Sequence, residues 1–283
     1  MLKWKFIFCF LFVLGFLNSQ TIQEYELKLI NNLEDVHFEK NHDKAIALNE
    51  DFKNVLEEAI SKSEIFNYPF DSLSQFMSTA ISPDGNFRIF NWNIELSNQK
   101  QHYECWILMK NLEILKLTDF KNDIPEIEYS SLDANSWFGA LYYSIIPKQR
   151  KNRTVYTLLG WDGNNMFSNK KIIESMVISK KNKIQFGVPI FKYPDGKTKK
   201  RVIFQYNKQS YMSLKHRHAR KEDYLIFDHL MPPSPHLEDF ADWYVTDLSF
   251  DAFQWNENEW NFKRNFDAKS LKILKRPFND PNK

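Results

Sequence analysis

The chain has 283 residues, 43% hydrophobic, 16% aromatic and 26% charged, with a formal net charge of +2. That length suits one or two domains, and the apolar share can fill a core. A nearly neutral chain has no general electrostatic pull on nucleic acid, so nucleic acid is not an expected partner.

Lys3 and Lys5 form a basic head, Phe6 to Phe16 run without charge, and Leu17-Asn18-Ser19-Gln20 give a small or polar exit. This is the order of a cleavable secretory signal over residues 1–19, with Leu17 and Ser19 three and one residues before the cut. The apolar run is short for a bilayer span, so no transmembrane anchor is expected after cleavage. Loss of Lys3 and Lys5 leaves the mature form without net charge. Cys9 lies inside the apolar run after Phe8, which is not a lipid-anchor position. Cys105 then stands alone, and its alternation with Tyr103 and Ile107 marks it as a buried small hydrophobe.

Residues 20–74 read as an N-terminal helical segment. Tyr25, Leu29 and Leu33 are spaced at fours, and Ile46, Leu48, Phe52, Val55, Leu56, Ala59 and Ile60 follow helical spacing. Tyr68-Pro69-Phe70 ends it.

From 75 to 283 the period changes to two. Phe87 and Ile89 oppose Phe90 and Trp92, and Tyr103, Cys105, Ile107 and Met109 share one side. Further β-type runs are Trp137 to Ile146, Thr154 to Leu159, Lys171 to Ile178, Arg201 to Tyr206, Tyr211 to Lys215 and Tyr224 to Phe227. Trp243 to Val245, Phe250 to Trp255 and Trp260 to Phe262 complete the series. Pro83-Asp84-Gly85, Asp162-Gly163 and Pro194-Asp195-Gly196 supply reversals, where glycine tolerates positive φ. The expectation is a mainly β fold, an antiparallel meander closed as a sandwich or open barrel, with the helical segment packed on it. A propeller is disfavoured by the lack of repeats. Lys192, Lys197, Lys199, Lys200 and Arg201 read as a solvated hairpin tip.

No nucleophile elbow, zinc-protease helix, phosphate loop, dinucleotide fingerprint or Cys-x-x-Cys occurs, and no cofactor is implied. His216 and His218 are two apart and face one way on a strand; with Asp228, His229 and His236 they are the candidate metal ligands. Arg217, Arg220 and Lys221 crowd them with positive charge, which opposes a cation. Asp228 and His229, as strand neighbours, point to opposite faces, and structural hydrogen bonding suits them better than acid–base pairing. Asp162, Asn164 and Asn165 supply too few oxygens for calcium, so a turn is favoured. Trp161, beside a glycine turn, and Trp255, before Asn256-Glu257-Asn258, are the tryptophans expected to be partly exposed. With Asp162 and Asn164 they form the candidate binding residues.

At Ser82-Pro83-Asp84-Gly85-Asn86-Phe87-Arg88-Ile89-Phe90 and Thr157-Leu158-Leu159-Gly160-Trp161-Asp162-Gly163-Asn164-Asn165 the chain resembles a group of exported Bacteroidota proteins of unknown function. The likeness continues through Ser168 to Ile173, Arg201 to Phe204 and Phe227 to Leu230, spanning roughly 75–264. It implies export from a Gram-negative cell and carries over no active-site residue. With no sorting domain of that phylum's secretion system at the C-terminus, the periplasm is expected over the cell surface or the exterior. Asp71-Ser72-Leu73 resembles that phylum's three-residue glycosylation site. Three functions stay open: a non-catalytic module binding an envelope protein or a glycan; a hydrolase of polysaccharide or peptidoglycan using two carboxylates; and a metal-dependent enzyme of the His216–His236 region.

Overall fold

Thr21 opens the first helix, α1 (Ile22–Phe38). Its hydroxyl accepts from the Glu24 amide while the Glu24 carboxylate accepts from the Thr21 amide, a reciprocal cap. The chain leaves the helix at Glu39, and Asn41 caps a second, α2 (His42–Ile60). The helical segment is therefore interrupted without glycine or proline, because the Asn41 carboxamide satisfies the Lys44 N–H and restarts it. This computed structural model describes residues 21–96, 99–120 and 124–267; residues 1–19, expected from the sequence to be a signal segment, lie outside them. Among the described residues no helix is long and apolar enough to cross a membrane.

Strands dominate the rest of the described residues, and the chain is mainly β. β1 (Phe87–Glu95), β2 (Gln101–Met109) and β3 (Ile114–Leu117) form a first, antiparallel sheet. β4 (Leu132–Asp133), β5 (Leu141–Arg150), β6 (Arg153–Asp162), β7 (Ser168–Ile178) and β8 (Ile184–Phe186) form a second. β9 (Phe191–Lys192) and β10 (Thr198–Lys199) flank the second Pro-Asp-Gly turn, where Gly196 has φ +84°. β11 (Arg201–Asn207) returns to the second sheet. β12 (Leu214–Ala219), β13 (Glu222–Met231), β14 (Val245–Asn256) and β15 (Glu259–Lys263) join β9 and β10 in a third, of order β10-β9-β15-β14-β13-β12.

Two features depart from a simple meander. β9 pairs with β15 in parallel. β11 and β8 share one edge of β7, with β11 on Ser168–Glu174 and β8 on Met176–Ile178. Ser175 fills the gap between them; its hydroxyl accepts the Val188 N–H at 2.7 Å and lies 2.7 Å from the Lys200 carbonyl.

The apolar residues explain the layering. Phe90, Trp92, Trp106 and Leu108 on one face of the first sheet pack on Leu29, Leu33, Phe52 and Leu56 of the helices. Phe87, Ile89, Tyr103, Cys105 and Ile107 on its other face meet Trp137, Tyr142, Leu158, Ile172 and Phe186. The opposite face of the second sheet, with Val155, Leu159, Ile173 and Val202, meets Leu225, Phe227, Phe253 and Trp260 of the third. Adjacent pairs such as Leu158-Leu159 and Ile172-Ile173 are apolar because both faces of that sheet are covered. Cys105 is fully buried as expected, and burial pushes its thiol well up, away from the thiolate a nucleophile needs.

Among the described residues, two arginines lie inside. Arg88 donates to the carbonyls of Thr79, Ile65, Phe66 and Tyr68, tying the turn after α2 to β1. Arg201, expected at a solvated tip, is fully buried opposite Glu174 on β7 and ion-paired with it. It also donates to the Ile127 carbonyl at 2.6 Å. The lysine run was misleading at this residue because β11 enters the second sheet immediately after Lys200.

Candidate ligand-binding site

A cavity of about 530 Å³ opens where the ends of the first and second sheets meet. β2 supplies Gln101 and His102, the chain after β3 supplies Asp119 and Phe120, the end of β6 and its turn supply Asp162 and Asn164, and β7 supplies Lys170. Ile124, Ile127 and Phe138 complete an apolar wall, and Lys100 stands at the mouth. Asp162 and Lys170 are directly opposed on β6 and β7, so strand register alone sets them side by side.

Tyr103 organises the carboxylates. Its backbone N–H donates to Asp119 Oδ2 at 2.9 Å, and its hydroxyl donates to Asp162 Oδ1 at 3.0 Å. The same hydroxyl accepts the Gly163 N–H at 2.8 Å. Burial pushes the Tyr103 phenol well up and the Asp162 charge adds to this, so it stays a neutral donor. Asp162 Oδ1 also accepts the Asn164 N–H at 2.8 Å, which closes the turn. His102 Nδ1 lies 3.5 Å from Asp119 Oδ2 and its Nε2 lies 3.6 Å from Glu104.

Two glycines admit these groups. A Cβ on Gly139, whose φ is +78°, would fall 2.2 Å from Asp119 Oδ1. A Cβ on Gly163 would fall 2.9 Å from both Gln101 and Trp161, so close approach is what demands glycine there. The positive φ of that turn belongs to Asn164, at 45°.

Of the candidate binding residues, the structure brings Asp162 and Asn164 to this cavity and places the other two elsewhere. Trp161, next to Asp162 on β6, points to the opposite face, as strand neighbours must. It lines a separate cavity with Tyr143 and residues 74–80. Trp255 sits in the third sheet with its ring edge-on to Trp260 at 5.2 Å. Both tryptophans are partly exposed, as expected, but Trp243, not singled out from the sequence, is more exposed than either, at 48%.

The candidate metal ligands do not converge. His216 Nε2 and His218 Nδ1 do face one way, but both approach Asp223 Oδ1, at 2.7 and 3.1 Å. Lys148 takes the other oxygen of that carboxylate. Asp228 accepts the Ser213 N–H at 2.7 Å, while His229 Nδ1 meets Asp251 at 2.8 Å on the other side of the strand. His236 is exposed in a short turn at Pro235–Leu237. Among the described residues no group of three or more His, Cys, Asp or Glu could hold a metal ion. In the Asp71-Ser72-Leu73 triplet, Ser72 is exposed and Leu73 is buried behind it.

His102, Asp119 and Lys170 were missed. Gly139 offered the available signal: a glycine outside any turn dipeptide, marking a close approach. No known family model and no curated protein matches the chain.

Proposed function

We propose that this chain is an exported binding protein that holds a glycan or glycan fragment in the cavity between the first and second sheets. One observation carries the reading: amide, carboxylate, imidazole and ammonium groups converge in a single cavity beside Phe120 and Phe138. Hydroxyl-rich ligands are recognised by fixed planar hydrogen-bonding groups beside an aromatic face. Asp162 is fixed by Tyr103 and the Asn164 amide, so its orientation is set before a ligand arrives. The basic head and apolar run of residues 1–19, with the likeness to exported Bacteroidota proteins, support a periplasmic location. For the scaffold, the shared cores between successive sheets support a layered sandwich over an open barrel.

The test is a glycan array on the mature chain, followed by calorimetry of any hit. Phe138→Ala and Lys170→Ala are expected to weaken binding at least about ten-fold, a loss of about 1.4 kcal/mol. An array with no signal, or hits indifferent to both changes, overturns the reading.

A hydrolase is the second reading, and it too rests on a specific feature. Asp119 and Asp162 line the same cavity from the two ends of Tyr103, and glycoside cleavage uses a carboxylate pair. Release of new reducing ends by the wild type, abolished in Asp119→Asn with binding retained, is the result that favours it.

A further inference from the structure

A second cavity of about 490 Å³ adjoins the first, and the two share Ile127, Phe138 and Lys170 as a common wall. The polar side chains of this second cavity are already engaged by the protein. Glu128 accepts the Ile203 N–H at 3.0 Å and pairs with Lys199. Gln205 donates to Asp242 at 2.6 Å. What they leave for a ligand is the apolar surface of Ile203, Phe204, Leu230, Ala241 and Tyr244 beside Phe138. The Tyr244 hydroxyl turns away and donates to the Glu238 carbonyl at 2.6 Å. Phe240 and Trp243, on either side of the Ala241–Asp242 pair, are 57% and 48% exposed, so the groove opens onto an apolar rim.

From this continuity we infer that the ligand is an amphiphile, a hydroxyl-rich head in the first cavity with an aliphatic tail along the second. The inference rests on the binding reading of the first cavity and adds the tail to it. Lys170 marks the boundary, because it belongs to both cavities, and Glu128, the charged group beyond it, is already paired with Lys199. A free sugar leaves Phe204, Leu230 and Tyr244 facing water. An alkyl chain covers them and is itself removed from water, which is the source of its affinity.

The probe is a series of alkyl glucosides and alkyl maltosides from methyl to octyl, titrated below their micellar concentrations into the mature chain. Affinity is expected to rise about four-fold per buried methylene, from about 0.8 kcal/mol each. A tail with four methylenes covered then gains on the order of 100-fold over the methyl compound. Ala241→Trp, on an exposed turn residue, fills the second cavity and is expected to abolish the dependence on chain length. Ile203→Gln, which sets an amide among the apolar groups, provides the same test should the first variant fold poorly.

Methyl glycosides that bind as well as octyl ones overturn the tail while the glycan reading stands. Octyl binding that Ala241→Trp and Ile203→Gln both leave intact places the tail elsewhere and also overturns the inference. No binding at any chain length, together with a silent glycan array, sinks both.

Discussion

Replacing Tyr103 by Phe removes one oxygen atom and leaves the packing of the ring unchanged. That oxygen donates to Asp162 and accepts from Gly163, and Tyr103, Asp162 and Gly163 are all buried. The Gly163 N–H loses its acceptor where water has little access, which costs about 1–3 kcal/mol. Asp162 Oδ1 keeps the Asn164 N–H but loses a hydrogen bond to a charged acceptor, worth about 1.5–3 kcal/mol. The two losses share one atom and do not simply add, so roughly 3 kcal/mol is expected. Urea unfolding followed by tryptophan fluorescence measures it, as a lower midpoint at unchanged slope. Tyr156→Phe is the matched control. Its hydroxyl also bridges two partners, Asp84 at 2.7 Å and Asn86 at 3.2 Å, but these sit in the turn at 82–86, which water reaches. The control should lose under about 1.5 kcal/mol. Because the turn held by Tyr103 forms part of the cavity wall, ligand affinity should fall in the first variant and not in the second. A loss below about 1 kcal/mol in Tyr103→Phe, or equal losses in the two, would refute the reasoning.

Three further outcomes follow from the geometry. Arg201→Met leaves the Glu174 carboxylate buried without its cation and should cost about 3–5 kcal/mol, while Arg201→Met with Glu174→Leu should recover most of that. Burial already pushes Glu174 up against the pull of Arg201; without the arginine its folded-state pKa rises further above the unfolded value. The single variant's deficit should therefore grow once pH passes the wild-type folded-state pKa of Glu174, itself above the ordinary 4.5, and be smaller at pH 5 than at pH 8; a pH-independent deficit contradicts this. Gly139→Ala sets a methyl against Asp119 at positive φ and should cost at least about 2 kcal/mol, with loss of ligand binding; wild-type midpoint and affinity speak against the close approach. At Asp223, burial acts upward, but hydrogen bonds from Lys148, His216 and His218 outweigh it and hold the carboxyl below the usual aspartate range. A depressed folded pKa contributes stability above the unfolded value and loses it as pH falls. Asp223→Asn should thus be less stable than wild type at neutral pH, and the gap should begin to narrow as pH falls below about 4; a gap that does not narrow with falling pH refutes the assignment.

Much of the architecture can be read along the chain because it is local. Alternation placed Tyr103, Cys105, Ile107 and Met109 on one face, and all four share a core. The Pro-Asp-Gly tripeptides mark reversals because their glycines take φ of +68° and +84°. Short strands such as β4, β8, β9 and β10 escaped because two or three residues carry no detectable period, and their pairing comes from neighbours already in place.

A period of two tells which side of a strand a residue occupies; it does not tell what covers that side. His216 and His218 were correctly placed on one face, yet Asp223 and Lys148, rather than a metal ion, were waiting there. Asp162 and Asn164 could be singled out from their turn, but Asp119 reaches the same cavity from 43 residues away in sequence, past Gly139, when two sheets close on each other. Local backbone chemistry is written in consecutive residues, so the sequence alone determined the longer strands, the Pro-Asp-Gly turns and the helical character of the N-terminal segment. The cavity and the buried Arg201–Glu174 pair depend on how separate sheets stack and align, and only the tertiary structure decided them.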